Sequence, residues 1–350
     1  MKKHAFLIKT LVFLLLLMLV VGGVSYVFRL KSLDAETSIV GFYDEPKNTL
    51  DGVYIGASNV YWYWQAPIAY QYAGVAVMDY ATGSLPYTAF AGVLRESMKR
   101  QSPRLVLIDP RSFTGDGEPD AFGVHNLFDF MPASVNKYKT LKTVCDGAHV
   151  DASTRLEYYV PFVRFHYIWE ELDASCFRRD ASPYKNAVFN TDVLTFVTDY
   201  TGEMVFSEDV APVTGVHLDA LNELLDVCDT LSCPVLFVTS PMLDDAPRKA
   251  QMNYIGQFLE ERGYPFLNCN DRAVYEQIGL AVPTDFYDAA HVNIWGSMKY
   301  TRFLTDYIQL NYALPDRRGD AAYATWDKAY ADYAAYVESV TGKALDVSGK

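Results

Sequence analysis

Five short apolar runs limit the fold more than any other feature of this chain. They are "GVYIG" (52–56), "VAVMDY" (75–80), "LVLID" (105–109), "VLFVTS" (235–240) and "PFLNC" (265–269). Each is continuous rather than alternating and is bounded by Gly, Pro, Ser, Asp or Asn. A strand without a polar face must be covered on both sides, as in a parallel sheet. Helical stretches lie between the runs: "AFAGVLRESMKRQ" (89–101), "HLDALNELLDVCDTL" (217–231) and "RKAQMNYIGQFLEERG" (248–263). In the second, Leu218, Leu221, Leu224, Leu225 and Cys228 follow the i, i+3, i+4 spacing of one helix face. Alternation of this kind predicts an α/β fold: a three-layer α/β/α domain with a parallel five-stranded sheet and right-handed crossovers.

Residues 112–216 break the rhythm, being far longer than a strand-to-helix connection. They carry a helical texture, "YYVPFVRFHYIWEELDASCF" (158–177), and "NAVFNTDVLTFV" offers short strands. We read the segment as a large insertion, either a lid or a subdomain, within a body spanning 51–312. His166 and Trp169 could line such a lid, and packing in a core is the plainer role for a lone histidine among aromatics. In the tail, 313–350, Tyr323, Trp326, Tyr330, Tyr333 and Val337 recur at helical spacing. They predict an amphipathic helix laying aromatics on the body.

The N-terminus reads differently. Residues 10–30 are apolar or small apart from Arg29 and a few hydroxyls, roughly the 20 residues that a bilayer requires. The run ends in "GGVSYVFRL", with no small-x-small cleavage site, so residues 1–31 are expected to be an uncleaved transmembrane anchor. Lys2, Lys3 and Lys9 would hold the N-terminus in the cytoplasm and place the body outside. Residues 32–50 are expected as a tether. The whole chain carries −13. Five basic residues and no acid precede residue 32, so the body is more acidic still. It would be repelled by phosphate backbones, which argues against nucleic acid as a partner. Cys145, Cys176, Cys228, Cys233 and Cys269 form no C-x-x-C and no metal spacing, and are expected to be mostly buried thiols.

Two short patterns carry chemistry. In "DGVYIGASNVYWYW" (51–64), Ser58 stands behind Gly56 where the first strand ends. In "PTDFYDAAHVNIWGSMKYTRFL" (283–304), Asp288 precedes His291 by three residues, just ahead of a helix. Acyl transfer by serine requires a base beside the hydroxyl and a third group that fixes the base. Asp288 can reach Nδ1–H of His291 within one turn, leaving Nε2 to face a serine. In a doubly wound sheet the carboxyl ends of the strands share one edge, where ligands bind. Ser58 lies on that edge, and the loop entering the last helix can return to it.

Glycine-x-serine after the first strand, with D-x-x-H before the final helix, resembles the SGNH (GDSL-type) hydrolase superfamily. The flavodoxin-like fold is implied with it. The membrane-anchored branch is the nearer likeness, which includes alginate O-acetylation proteins and the protein that completes D-alanyl transfer to teichoic acids. The similarity covers roughly 50–110 and 232–312, together with the anchor. "FVRFHYIWEEL" is also similar to a helix of related Gram-positive proteins. The resemblance implies Ser58 as nucleophile, His291 as base and Asp288 as its orienter. It implies an oxyanion hole from the N–H of Ser58 and from Gly83 in "YATGSLPYTAF". Gly83 would also serve as a turn residue. Where the family has a third donor, an asparagine, this chain has "LIDPRSF"; Arg111 could take that role, bind a carboxylate or sugar, or make a surface salt bridge. "GASN" lacks the second glycine of G-x-S-x-G, which argues against the α/β-hydrolase elbow. Ser240, after the fourth run, either borders the cleft or caps a helix.

The expected function is therefore ester chemistry through an acyl-serine, outside the membrane and without a cofactor or metal. No phosphate loop or dinucleotide fingerprint is present. The expected acceptor is a cell-surface glycan or polymer, and the expected donor partner a polytopic membrane protein. Tyr61, Trp62, Tyr63 and Trp64 would either build a groove for sugar rings or pack in the core. The alternative is a catalytically inactive scaffold or glycan-binding protein of the same fold.

Overall fold

The structure is a computed structural model and describes residues 2–31, 36–195, 203–243 and 246–347. Five parallel strands form one sheet: β1 (Gly52–Gly56), β2 (Val77–Ala81), β3 (Leu105–Ile108), β4 (Val235–Thr239) and β5 (Phe266–Asn268). Their order is β2-β1-β3-β4-β5. Every residue of β1 to β4 is buried, so both faces are covered, as the unbroken apolar runs require. The order reverses between β1 and β3, and the crevice at such a switch point is where open α/β sheets place ligands. Ser58 follows β1, and Asp109 and Arg111 follow β3.

Two sets of helices flank the sheet. In one, α3 (Ala66–Ala73) packs on α10 (Ile294–Tyr312) and α11 (Ala324–Thr341). Tyr54 of β1 reaches this set through its hydroxyl, 3.0 Å from that of Tyr300. In the other, α4 (Phe90–Ser97) packs on α5 (Val135–Gly147) and α7 (Gly215–Cys228). The aromatic tail lies on the body: Trp326, Tyr333 and Val337 are buried. Trp326 Nε1 donates to Glu45 and Tyr333 Oη to Gln65.

Helix α1 (Lys2–Val27) is long and apolar enough to cross a membrane and carries none of its apolar window inside the body. Its 26 residues span about 39 Å. Three expectations require correction. Residues 38–50 are packed rather than a loose tether: Ile39 and Phe42 are fully buried, and Phe42 stacks on Tyr80. Apolar side chains hidden in a charge-rich stretch account for this. The 158–177 stretch is helical as expected, but in short pieces interrupted at Pro161, and it packs on the end of α1 rather than over the cleft. Phe165, Ile168 and Cys176 cluster with Val27, Phe28 and Leu30, while His166 and Trp169 are exposed there and line no part of the cleft at Ser58. The described part of "NAVFNTDVLTFV" contains no strand; its end lies outside the described residues. All five cysteines are free, four buried and Cys233 partly so.

Candidate active site

Ser58 opens α2 (Ser58–Tyr63), which begins two residues after β1. Gly56 lets that helix start so abruptly. A Cβ there would lie 2.4 Å from Val60 Cγ2 and 3.2 Å from Asp109 Cβ. The N–H of Ser58 lies in the first turn of α2, where the helix supplies no acceptor.

Asp288 and His291 share a tight loop closed by an antiparallel bridge between Phe286 and Val292. Asp288 Oδ1 accepts the backbone N–H of Ala290 at 2.7 Å and of His291 at 2.9 Å, which folds the loop on itself. Asn293 then caps α10, accepting from the N–H groups of Trp295 and Gly296. The inserted segment holds this loop from outside. Leu194 N–H donates to Phe286 O, Thr195 N–H to Tyr287 O, and Ile294 N–H to Asn190 O.

The three side chains form one line. Ser58 Oγ lies 2.8 Å from His291 Nε2. On the other side of the ring, His291 Nδ1 lies 2.9 Å from Asp288 Oδ2 and 3.0 Å from Oδ1. A carboxylate only accepts, so Nδ1 carries the ring proton and Nε2 receives the Ser58 hydroxyl. Burial pushes the Asp288 carboxyl up, but the His291 hydrogen bond and charge, with the two backbone N–H groups, outweigh it and hold it below its ordinary range. Trp62 packs against the His291 ring at 5.8 Å between centroids and stacks on Tyr287. The other three aromatics of "YWYW" are buried core residues.

Beneath Ser58 lies a buried hub that ties three strand ends together. Asp109 accepts from Asn59 Nδ2, from Ser240 N–H and Oγ–H, and from Arg111 N–H. Asn59 Nδ2 also donates to Ser240 Oγ at 3.0 Å. Both Asn59 amide protons are thus engaged, so this amide is a strut and not a donor to substrate. Burial raises the Asp109 carboxyl to about 6, against the opposing pull of its hydrogen bonds and of Arg111. Ser240 therefore joins the hub and caps no helix.

The cleft above encloses about 230 Å³ and is lined by Ser58, His291, Arg111, Ser112, Thr114 and Arg248 among others. Arg111 lines this cleft, and Arg248 is a second guanidinium there. Gly83 lies on the turn after β2, at the same sheet edge: it stands two residues past Ala81, the register partner of Gly56. It is not among the residues lining the cleft, and its carbonyl accepts from Asn126 Nδ2. Sequence reasoning missed Asn59, Asp109 and Arg248. An acid ending an otherwise apolar strand was the available signal for Asp109. Among the described residues, no group of three or more His, Cys, Asp or Glu side chains is gathered as a metal site.

No protein-family model matches the chain. No curated protein matches it either.

Proposed function

We propose that the chain is a membrane-anchored, serine-dependent acyl-ester enzyme of the SGNH type, with a three-layer α/β/α body outside the membrane. The observation that carries this reading is the continuous Ser58–His291–Asp288 line at hydrogen-bond distances. In the proposed reaction His291 Nε2 takes the Ser58 proton as Oγ bonds to the ester carbonyl carbon. Asp288 stabilises the imidazolium that forms. The N–H of Ser58 faces the developing oxyanion, and Arg111 and Arg248 add positive charge to the same cleft. Collapse expels the alcohol, which takes the proton back from His291 and leaves an acyl ester on Ser58. A second hydroxyl, activated by His291, then resolves it. Water gives an esterase. A glycan hydroxyl gives an O-acyltransferase.

The anchor and the family likeness favour transfer to, or removal from, a cell-surface polymer, with a polytopic membrane protein as acyl donor. Two arginines beside the nucleophile suit a substrate that carries an anionic group. The test uses the full-length protein with a small acyl ester, with and without candidate glycans. Transfer gives slow hydrolysis and acylated glycan. Rapid hydrolysis indifferent to every glycan makes it a plain esterase. Removal of acyl groups from an acylated polymer makes it a deacylase. An unchanged ester under all conditions, with Ser58→Ala and wild type alike, points instead to the inactive scaffold.

A further inference from the structure

Residues 186–195 form a strap between the edge of the sheet and the His291 loop. One end is tied to that loop by Leu194 N–H on Phe286 O, Thr195 N–H on Tyr287 O and Ile294 N–H on Asn190 O, and Asn293 Nδ2 donates to Asp192 O at 3.2 Å. Near the other end, Gln65 Nε2 donates to Val188 O at 2.9 Å. That end is Asn186, fully buried, whose Nδ2 donates to Ser38 O at 2.8 Å and to Asp79 O of β2 at 3.1 Å. Strand β2 is the edge of the sheet, so the Asn186 amide meets a backbone carbonyl that no neighbouring strand covers.

The same place holds polar atoms that nothing satisfies. Asp79 is fully buried, and neither of its carboxylate oxygens has a hydrogen-bond partner among the described residues. Asn186 Oδ1 and Ser38 Oγ are likewise buried without partners. Three acceptors are thus left with one hydroxyl. An ionised carboxylate would stand here stripped of water and without a counter-charge. Burial pushes the Asp79 carboxyl well above its ordinary range; its own N–H and the Asn186 side chain pull the other way and are outweighed, and no charged group acts on it. A carboxylic acid in such a site stays neutral and becomes a hydrogen-bond donor. One proton on Asp79 removes the charge and supplies the donor that Asn186 Oδ1 lacks.

We propose that Asp79 is an uncharged acid that donates to Asn186 Oδ1, a lock that fixes one end of the strap and through it the position of the His291 loop. Asp79 and Asn186 are then positioning residues for His291. Their bearing on catalysis rests on the reading of Ser58 and His291 given above; the lock itself does not. Two measurements on the full-length protein in detergent test it without any substrate. The infrared difference between wild type and Asp79→Asn at neutral pH should show the deuterium-sensitive carbonyl band of a protonated carboxylic acid. In hydrogen exchange, the N–H groups of Leu194, Thr195 and Ile294 should exchange about tenfold faster in Asp79→Ala and stay within about twofold of wild type in Asp79→Asn, whose amide can donate to Asn186 Oδ1 as the acid does. Gly41→Ala reaches the lock from the other side, because a Cβ there would overlap Asn186 Oδ1 and displace it; it should exchange as Asp79→Ala does. Turnover of an activated ester should follow the exchange, with kcat lowered in Asp79→Ala and Gly41→Ala, restored in Asp79→Asn, and KM unchanged throughout. Carboxylate bands in place of the acid band, unchanged exchange in both Asp79→Ala and Gly41→Ala, or exchange in Asp79→Asn as fast as in Asp79→Ala would each overturn the lock. Faster exchange with an unchanged kcat would overturn the positioning role. A wild type inert toward the ester, with the acid band and the exchange pattern intact, would overturn the catalytic reading and leave the lock standing.

Discussion

Replacing Gly56 by alanine tests why a glycine stands two residues before Ser58. The new methyl would sit 2.4 Å from Val60 Cγ2, whereas carbon atoms rest at about 3.5–4.0 Å. Val60 must therefore retreat by about 1 Å. It is fully buried and β-branched, so it has no spare rotamer to adopt. The retreat falls on α2, six residues long, whose first residue is Ser58. A shift of about 1 Å takes the 2.8 Å contact of Ser58 Oγ with His291 Nε2 beyond hydrogen-bond reach. Misplacement on this scale costs about 10²-fold in rate, and overpacking costs about 1–3 kcal/mol in stability. The assay is kcat/KM on an activated acetyl ester, together with the midpoint of urea unfolding. Gly56→Ala with Val60→Ala removes the clashing methyls and leaves the milder 3.2 Å approach to Asp109. That pair should recover at least tenfold in rate over Gly56→Ala alone. Gly56→Ala within twofold of wild type, or a double variant no faster than the single, would refute the reasoning.

Three further outcomes follow from the same geometry. Asp288→Asn should keep the fold but lower kcat by about 10²–10⁴-fold, less than Ser58→Ala, since it removes the group that fixes the His291 tautomer; equal losses for both variants would count against an orienting role. Asp109 has its folded pKa raised to about 6 from 3.8, a difference worth about 3 kcal/mol. Because the shift is upward, its stabilising contribution is complete below about pH 4 and is lost as pH rises through 6; Asp109→Asn should show a shallower fall in unfolding free energy between pH 4 and 8 than wild type, and parallel curves would contradict this. Mature protein should retain residue 1 and stay with membranes while its body is open to external protease, whereas a soluble product beginning near residue 30 would mark α1 as a cleaved signal.

Much of this architecture was legible because it depends on local pattern. Unbroken apolar runs mark strands buried on both faces, and the five runs fall on the five strands with shifts of one or two residues at their ends. Ser58 could be found because Gly56 and the end of an apolar run are neighbours in sequence. Asp288 and His291 could be found because their hydrogen bond spans three residues. The hub was not legible: Asn59 and Asp109 are 50 residues apart, and Asn59 and Ser240 are 181 apart. No periodicity links such positions; only the parallel register brings them to one edge. The roles within "YWYW" were equally hidden. Three aromatics of a six-residue helix and a fourth at its C-cap point in all directions, and only the tertiary contacts leave Trp62 beside His291. The inserted segment misled for a related reason. Its aromatics resemble a core stripe, yet Pro161 breaks the helix, and Phe162, Phe165 and Ile168 pack at the end of α1.

The central claim is that Ser58 carries the acyl group. The most direct measurement is rapid-quench mass spectrometry of the full-length protein mixed with an activated acyl ester, followed by peptide mapping. The account predicts a transient acyl adduct on the peptide containing Ser58, absent in Ser58→Ala and strongly reduced in His291→Ala. An adduct that persists in both variants, or turnover of the ester with no adduct on Ser58, would contradict it.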